Sequence, residues 1–344
     1  MITVSEKERG DLFVPDDPSE IGLGDSDSNS TSDAVNTESA KPGEYSEEER
    51  DSAQAPRTSH SDEDEEYLRQ SQQPLATELP DTFSKSTVDP AVGFRNYGLS
   101  SLEAMFLRTV IDAFNGHNEY PLELPMSKHL IDNGVDAGRL EEEGFIKQHY
   151  LLNKGHYYTP TTKAQTAVAR TLKAGNRIGD VGEDMPHRVL TILAQRYFES
   201  LRNVHLVKLY APIGSGEKEG IIDVLAVDED HNPLHVAEIE AGERNEDGRW
   251  GTNNGASVAK DYKQMSSVSG QKWWFVRNRD VGKRILNHLK NRDLLPLSSV
   301  HKGPLKQNRH QLQQIGDSLN GIDHIYSANE LHDALENKEP LTDE

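Results

Sequence analysis

The chain has 344 residues, a formal net charge of −21 at pH 7 and no cysteine. This length suits two modest domains better than one large core, and the lack of cysteine excludes a disulfide framework, a thiolate zinc site and a thiol nucleophile. The first ten residues contain no apolar run, and no stretch of the chain is apolar for as many as eighteen residues. We therefore expect a cytoplasmic protein with no secretory signal and no membrane partner.

The acidic excess is concentrated at one end of the chain. Residues 1–90 contain 23 acidic and 7 basic side chains, whereas the remainder contains 35 acidic and 30 basic ones. The runs Asp25–Asp33 and Asp62–Glu66 have few apolar residues to bury, which predicts a disordered acidic tail over residues 1–95. We interpret the tail as solvating, with recruitment of a protein partner or occupation of a DNA site by phosphate mimicry as alternatives. The near balance of charge after residue 90 permits a DNA-facing surface without predicting one.

The pattern changes at Gly98, where a first predicted domain begins. Ser100 and Ser101 cap a helix with an apolar face, and two shorter helices cover 126–132 and 136–143. Two strands then meet at the turn Asn153-Lys154-Gly155, and a last helix starts near Thr161. Three helices, a hairpin and a closing helix predict a winged helix-turn-helix domain over residues 98–175.

Part of this domain resembles many prokaryotic winged-helix regulators. The resemblance lies in Leu140–Ile146, at the end of the recognition helix, and in Tyr158–Lys163, next to the wing. It implies contact with DNA, and the basic residues that it places there are Arg139, Lys128, Lys147 and Lys154. The acidic run Glu141–Glu143 on the same helix repels phosphate, so a scaffold or dimerisation role stays open as the alternative.

A second predicted domain covers residues 180–295 and is built on a sheet. A helix over 185–201 precedes strands at 204–211, 221–227 and 234–240, followed by a helix, a strand at 272–277 and another helix. An antiparallel meander followed by a crossover helix and a further strand predicts an α/β (α+β) sandwich, with a mixed sheet flanked by helices. Residues 296–344 are predicted to form a polar loop with a C-terminal strand–helix extension at the sheet edge. Trp273 and Trp274 are interpreted as core residues, with base stacking as the alternative.

Three acidic residues interrupt the apolar strands of this domain. Asp223 follows two isoleucines on the second strand, and Glu238 and Glu240 alternate with Ile239 on the third, so the two glutamates share a face. Three uncompensated carboxylates on apolar strands are costly unless a cation or partners neutralise them. Hard oxygen ligands suit Mg²⁺ or Mn²⁺, so we predict a metal site here, against the plainer interpretation of a charged strand end facing water.

The topology and these acids resemble the PD-(D/E)xK nuclease superfamily, which includes restriction endonucleases and archaeal Holliday-junction resolvases. The resemblance covers about 115 residues and implies that Asp223, Glu238 and Glu240 are catalytic and hold the metal. Glu240 departs from the pattern, because the superfamily usually has a lysine there, and Lys260 or Lys263 on the next helix is a candidate substitute. Related resolvases carry an acidic ligand on the first helix, which here implies Glu183 as a further metal ligand. His187 lies four residues after Glu183 on the same helix face, and its plainer interpretation is an ordinary surface or core residue.

These observations lead to one leading hypothesis and two alternatives. The leading one is a metal-dependent DNA endonuclease or nuclease-like protein that hydrolyses phosphodiester bonds, with DNA placed by the winged helix. The absent lysine favours a non-catalytic DNA-binding or regulatory protein on a decayed nuclease fold as the first alternative. A scaffold whose acidic tail binds a protein partner is the second, and a homodimer is compatible with all three.

Overall fold

This computed structural model describes residues 75–152, 154–173, 183–213, 220–244, 250–251, 255–316 and 319–341. The chain divides into two compact units, residues 1–58 and 59–344, and every described residue belongs to the second. Residues 1–74 of the predicted acidic tail therefore lie outside the described residues. No helix in the described part has both the length and the apolar character needed to cross a bilayer.

The N-terminal part of the second unit has the predicted order of helices and a hairpin. Ser100 begins the first helix with a capping box, in which its side chain and that of Glu103 satisfy each other's backbone amides. A short 3₁₀ helix at Phe94–Tyr97 precedes it. The elements are α1 (Ser101–Phe114), α2 (Met126–His129), α3 (Ala137–Glu142), β1 (Ile146–Leu151), β2 (Gly155–Pro160) and α4 (Thr162–Ala167). The two strands pair antiparallel, from Ile146 opposite Pro160 to Leu151 opposite Gly155.

The segment from residue 75 to residue 93 differs from its prediction as part of a disordered tail. It packs along the first helices as extended chain, with the Phe83 ring edge-on to Tyr120 and an ion pair between Lys85 and Asp132. Apolar side chains at intervals of four to five residues reach the core from this segment: Leu75, Leu79, Phe83, Val88 and Val92. The high acidity of the preceding residues hid this spacing when the whole stretch was judged by composition.

The C-terminal part is a five-stranded mixed sheet with helices on both faces. Its helices and strands are α5 (Met185–Glu199), β3 (Leu206–Ile213), β4 (Gly220–Val227), β5 (Pro233–Glu240), β6 (Glu243–Arg244), β7 (Trp250–Gly251), α6 (Gly255–Ser266), β8 (Gln271–Val276), α7 (Arg279–Asn291), α8 (Leu305–Ile315), β9 (His324–Ser327) and α9 (Ala328–Asn337). The strand order is β3-β4-β5-β8-β9, antiparallel from β3 to β5 and parallel from β5 to β9. This is the predicted meander and crossover, with β9 added at the edge as expected.

Two hydrophobic clusters lie on opposite faces of the sheet. On one face, α5 and α9 pack over Ala237, Trp273 and Phe275. On the other, α6, α7 and α8 pack over Val236, Trp274 and Ile325. The first cluster continues without a break into the helices and hairpin of residues 94–168, so the two predicted domains share one core.

Helix α8 lies where a polar loop was predicted. Its sequence is rich in glutamine and basic residues. Its buried apolar residues are Leu305 and Leu312, seven residues apart, with Asn308 buried between them, and Ile315 packs at the edge of the same cluster. The His301 amide donates a hydrogen bond to the Asn308 Oδ1 atom, which holds the preceding loop against the helix. Three apolar residues in eleven, with none between Leu305 and Leu312, give too weak a periodic signal for a helix to be predicted.

His324 on β9 makes stability depend on pH. Burial lowers the pKa of His324 to about 4, and the nearby His235 and Arg309 add to this. Between this value and the unfolded value of about 6.5, the unfolded chain binds the proton and the folded chain does not, so the free energy of unfolding falls as pH falls. We expect His324→Phe, which keeps a ring against Trp273, to reduce the loss of stability between pH 7 and pH 5 by up to about 2 kcal/mol. Urea unfolding at both pH values measures this, and an unchanged pH dependence would contradict it.

Candidate active site between β4, β5 and α5

Asp223 lies where both ladders of its strand are interrupted. The β4–β5 pairing ends at Val224 opposite Ala237, and the β3–β4 register omits Tyr210 opposite Asp223. Beyond the last pair, the Ile239 amide donates a hydrogen bond of 2.8 Å to Asp223 Oδ2, so a side chain replaces the missing strand partner. The carboxylate is thereby held in the gap between two splayed strands.

On the other side of Asp223, the backbone of β3 is distorted at Tyr210. Its backbone φ is 51°, in the left-handed region that a bulky residue inside a strand rarely adopts. Its hydroxyl donates a hydrogen bond of 2.9 Å to Glu183 Oε2. A strained backbone that orients a site side chain is typical of functional sites, where the surrounding structure offsets a cost of about 1–3 kcal/mol.

The N-terminus of α5 brings a histidine and a carboxylate to Asp223. Asp184 caps the helix by accepting the His187 amide, and Glu183 lies one turn before His187. His187 Nε2 is 3.6 Å from Asp223 Oδ1 and 3.8 Å from Glu183 Oε1. Both distances exceed a hydrogen bond, and within the described residues this buried nitrogen has no hydrogen-bond partner.

These three residues have the spacing of a metal-binding group. One ligand atom each from Glu183, His187 and Asp223 can be chosen so that all lie within 4.8 Å of one another. Two ligands about 2.1 Å from a shared ion are separated by roughly 3.0–3.6 Å for bond angles of about 90–120°. The His187–Asp223 separation of 3.6 Å lies within this range, and the His187–Glu183 separation of 3.8 Å lies just outside it. Side-chain adjustments that bring the two carboxylates together would therefore let these residues hold a divalent cation.

Glu238 and Glu240 lie on the same strand face as Val236, toward α6. Glu238 is 7% exposed, and its Oε1 atom has no hydrogen-bond partner among the described residues. Burial raises the pKa of Glu238 well above its usual value, and the charges of Asp223 and Asp261 raise it further. Among the described residues, Asp223, Glu238 and Glu240 do not form a group with ligand atoms within 4.8 Å, whereas Asp223 does so with the α5 residues.

Asp261 on α6 completes the cluster and was not singled out from the sequence. Burial raises the pKa of Asp261 to about 6, with a contribution from the charge of Asp223. Burial followed by Asp261 raises the pKa of Glu240 to about 7. The signal that could have found Asp261 is its position one residue before the buried Tyr262 and three after Val258, which places it at the border of the helix face that packs on the sheet.

His187 is the cation that faces these acids from α5. Burial disfavours its charged form, but the negative charge of Asp223, followed by those of Glu183 and Asp184, outweighs this and raises the pKa of His187 to about 9. At neutral pH the site therefore has two ways to balance its negative charge, a proton on His187 or a bound metal ion. The lysines predicted as substitutes are both exposed on α6. Lys260 lowers the pKa of Asp261 through its charge.

Two of the four basic residues predicted to contact DNA are engaged by carboxylates. Arg139 binds Glu103 and Glu143, each at 2.5 Å, and Lys154 binds Glu336 at 3.1 Å. Lys128 and Lys147 are exposed, and so is the acidic run Glu141–Glu143. The positive charge on this surface is thus partly neutralised, while contact with DNA stays a prediction.

Comparison with known proteins gives little beyond this geometry. No protein-family model matches the chain, and no curated protein matches it. A solved structure of Can2 from Sulfobacillus thermosulfidooxidans in complex with cyclic tetra-adenylate is similar at 15% identity and a TM-score of 0.27. The match covers 62% of this chain and 54% of that one, so the chain spans about half the length of the Can2 chain. Neither the fold nor the site described above rests on a similarity this weak.

The acid cluster should cost stability when no cation is present. Because the folded pKa of Glu240 is about 7, above the usual 4.5, its ionised form is disfavoured in the folded chain, and the penalty grows as pH rises from 4.5 to 7. With chelator at pH 8 we expect Glu240→Gln to raise the free energy of unfolding by about 1–3 kcal/mol. Denaturant unfolding measures this, with the exposed Glu339→Gln as the matched control. Equal or lower stability of Glu240→Gln would show that the carboxylate is already neutralised by protein groups.

Proposed function

We propose that this protein is a nuclease of the PD-(D/E)xK type that hydrolyses phosphodiester bonds in DNA with the help of Mg²⁺ or Mn²⁺. The observation that carries the proposal is the partly buried group Glu183, His187 and Asp223, with the buried Glu238 close enough to Asp223 to feel its charge. Two buried atoms here, His187 Nε2 and Glu238 Oε1, have no hydrogen-bond partner among the described residues. Buried polar atoms are nearly always satisfied, so unsatisfied atoms among mutually repelling acids support a missing cation. An imidazole in the donor set favours Mn²⁺ over Mg²⁺, which prefers oxygen ligands.

In the proposed hydrolysis, some residues of the site would bind the metal ion and another would accept a proton. A bound divalent ion would neutralise phosphate charge and lower the pKa of a water molecule. Asp223 is fixed by the Ile239 amide and Glu183 by the Tyr210 hydroxyl, so two ligands are oriented before any ion arrives. Glu240 stands where the superfamily has a lysine, and its pKa of about 7 suits a general base that accepts a proton from water at neutral pH.

The hairpin β1–β2 lies beside the site and is proposed as the wing of a winged helix. The Arg277 guanidinium, directly after β8, donates to the Tyr150 carbonyl in β1 at 3.0 Å. Tyr150 itself is 53% exposed, with its ring against His156. A wing anchored next to the acids can position DNA relative to them, which supports joint action of the two parts of the chain.

The direct test is cleavage by the full chain of labelled duplex, single-stranded and branched DNA, with Mg²⁺, Mn²⁺ or chelator. We expect cation-dependent cleavage of at least one form, and calorimetric binding of Mn²⁺ that is lost in Asp223→Asn. Absence of both cleavage and Mn²⁺ binding would overturn the proposal.

A non-catalytic role is the second candidate, and the observation that favours it is His187. With its pKa raised to about 9, His187 is an imidazolium at neutral pH and can balance Asp223 and Glu183 without a metal. A decayed nuclease fold that only binds DNA would then retain the site as an internal ion-pair network. DNA binding in chelator together with no Mn²⁺ binding would favour this candidate.

A further inference from the structure

Basic charge accumulates in one region of this acidic protein. Residues 279–316, which form α7, α8 and the loop between them, contain eight basic and two acidic side chains, whereas the whole chain has a net charge of −21. The region covers the sheet face that also carries α6. A local charge of this sign attracts polyanions even when the whole protein is acidic.

Four of these side chains lie at one end of the α7–α8 pair. Arg279, Lys283, Lys302 and Lys306 define what we call the α7–α8 patch. The Lys283 ammonium donates a hydrogen bond to the Lys302 carbonyl, which ties the loop to α7. A Cβ at Gly282 would lie 3.0 Å from Leu305, so the starts of the two helices are in close contact. Arg279, Lys302 and Lys306 are exposed, and Lys283 is partly buried.

The α7–α8 patch lies at the same end of the sheet as the candidate site. Val276, at the end of β8, pairs with Glu240 at the end of the parallel strand β5. The Arg277 amide donates to the Glu240 carbonyl at 3.0 Å, and α7 begins two residues later. An anionic chain bound along the patch would therefore pass the carboxyl end of β5, which carries Glu238 and Glu240, and the N-terminal half of the antiparallel strand β4, which carries Asp223.

Few acids neutralise the α7–α8 patch. Asp280 is 3.5 Å from Arg279 and 4.0 Å from Lys283, and Asp280 is itself 56% exposed. Within the part of the chain that the structure describes, neither Lys302 nor Lys306 forms an ion pair. Burial lowers the pKa of Lys283, and the positive charge of the neighbouring Arg279 lowers it further. An anionic ligand would reduce the repulsion between these basic side chains. Arg139 and Lys154 differ from them, because each is already paired with an acidic side chain.

We propose that the α7–α8 patch binds the phosphate backbone of the nucleic acid and leads it to the candidate site. The second half of this statement rests on the proposed function, whereas the binding itself does not. Phosphate contacts of this type carry no sequence information and release counterions, so each neutralised phosphate adds about 0.9 to the slope of log affinity against log salt for duplex DNA.

The test is DNA binding by the double variant Lys302→Glu/Lys306→Glu of the full chain, measured by fluorescence anisotropy in chelator, where no cleavage occurs. We expect at least tenfold weaker binding at moderate salt and a salt slope that is smaller by about 2. The matched control is Arg202→Glu/Lys208→Glu, which makes the same charge change next to and on β3, at the opposite edge of the sheet, and should stay within about twofold of the unmodified protein. Circular dichroism checks folding, and both substituted pairs are exposed.

The outcomes separate this inference from the proposed nuclease activity. An equal loss of DNA affinity in the two double variants would contradict the proposed binding role of the patch, because total charge rather than position would then control binding. Binding of polyglutamate with the same dependence on Lys302 and Lys306 would also overturn it, in favour of an acidic protein partner. If the unmodified protein cleaves no DNA but the Lys302→Glu/Lys306→Glu variant still loses DNA binding, the result supports the patch as a DNA-binding surface. The same result counts against the proposed nuclease activity.

Discussion

Asp223→Asn is expected to lower cation-dependent DNA cleavage by about 10³-fold or more, the largest functional effect that the site predicts. Asparagine keeps an oxygen that can accept the Ile239 amide at the 2.8 Å position, so the splayed strands should retain their geometry. The substitution removes the negative charge with which Asp223 attracts His187 and with which, together with Glu183, it would bind a divalent ion. Single-turnover cleavage with excess enzyme measures this loss without interference from product release.

The matched control is Glu229→Gln, in the exposed turn after β4. It removes one carboxylate charge close in sequence but away from the acid cluster, and cleavage should stay within about twofold. Retained cleavage in Asp223→Asn would contradict the assignment of Asp223 as a ligand, even if the protein is a nuclease. Reduced Mn²⁺ affinity with unchanged folding would identify the lost charge as the cause.

Trp273→Ala is expected to lower the free energy of unfolding by about 3–5 kcal/mol, the largest effect on stability that we predict. Trp273 is 1% exposed and lies in the middle of the aromatic cluster beneath α5. Its ring centroid is 5.7 Å from both Tyr197 and Phe198, and 4.0 Å from His324. Its indole N–H donates to His235 Nδ1 at 3.2 Å, so the truncation also removes this hydrogen bond.

Urea unfolding at neutral pH measures this change, with the exposed Tyr150→Ala as the control, for which we expect less than about 1 kcal/mol. A loss below about 1 kcal/mol in Trp273→Ala would mean that the cluster rearranges to fill the cavity. The burial of Trp273, and of Trp274 at 0% exposure, leaves neither ring open to stack on a base. Their interpretation as core residues is therefore confirmed.

Local pattern determined most of the secondary structure. Alternating apolar residues placed β4 and β5 to within one residue of their observed starts, and the Ser100 cap placed the start of α1. These signals come from side-chain periods and from capping, which depend on neighbours a few residues apart. The hairpin β1–β2 and the mixed topology followed from the same signals, because short turns and a crossover helix leave few arrangements.

Only some of the residues of the candidate site could be predicted from these local patterns. The sequence placed Asp223, Glu238 and Glu240 on adjacent strands and offered Glu183 as a ligand. His187 was interpreted as an ordinary residue, and Asp261 and Tyr210 were missed. Which of the acids approach one another depends on where β4 and β5 separate and on where the first turn of α5 lies over that gap.

The order of residues is enough to predict that a sheet with acids inside it forms, because burying alternate apolar side chains requires a sheet. Which charges are neutralised within the protein, and which remain available to bind a ligand, depends on the packing of elements that are distant in the chain. Arg139 is paired by Glu103, 36 residues away in the chain, and Lys154 by Glu336, 182 residues away. Charge interactions act through space at a few ångströms, so their partners are set by packing between elements that no local pattern records.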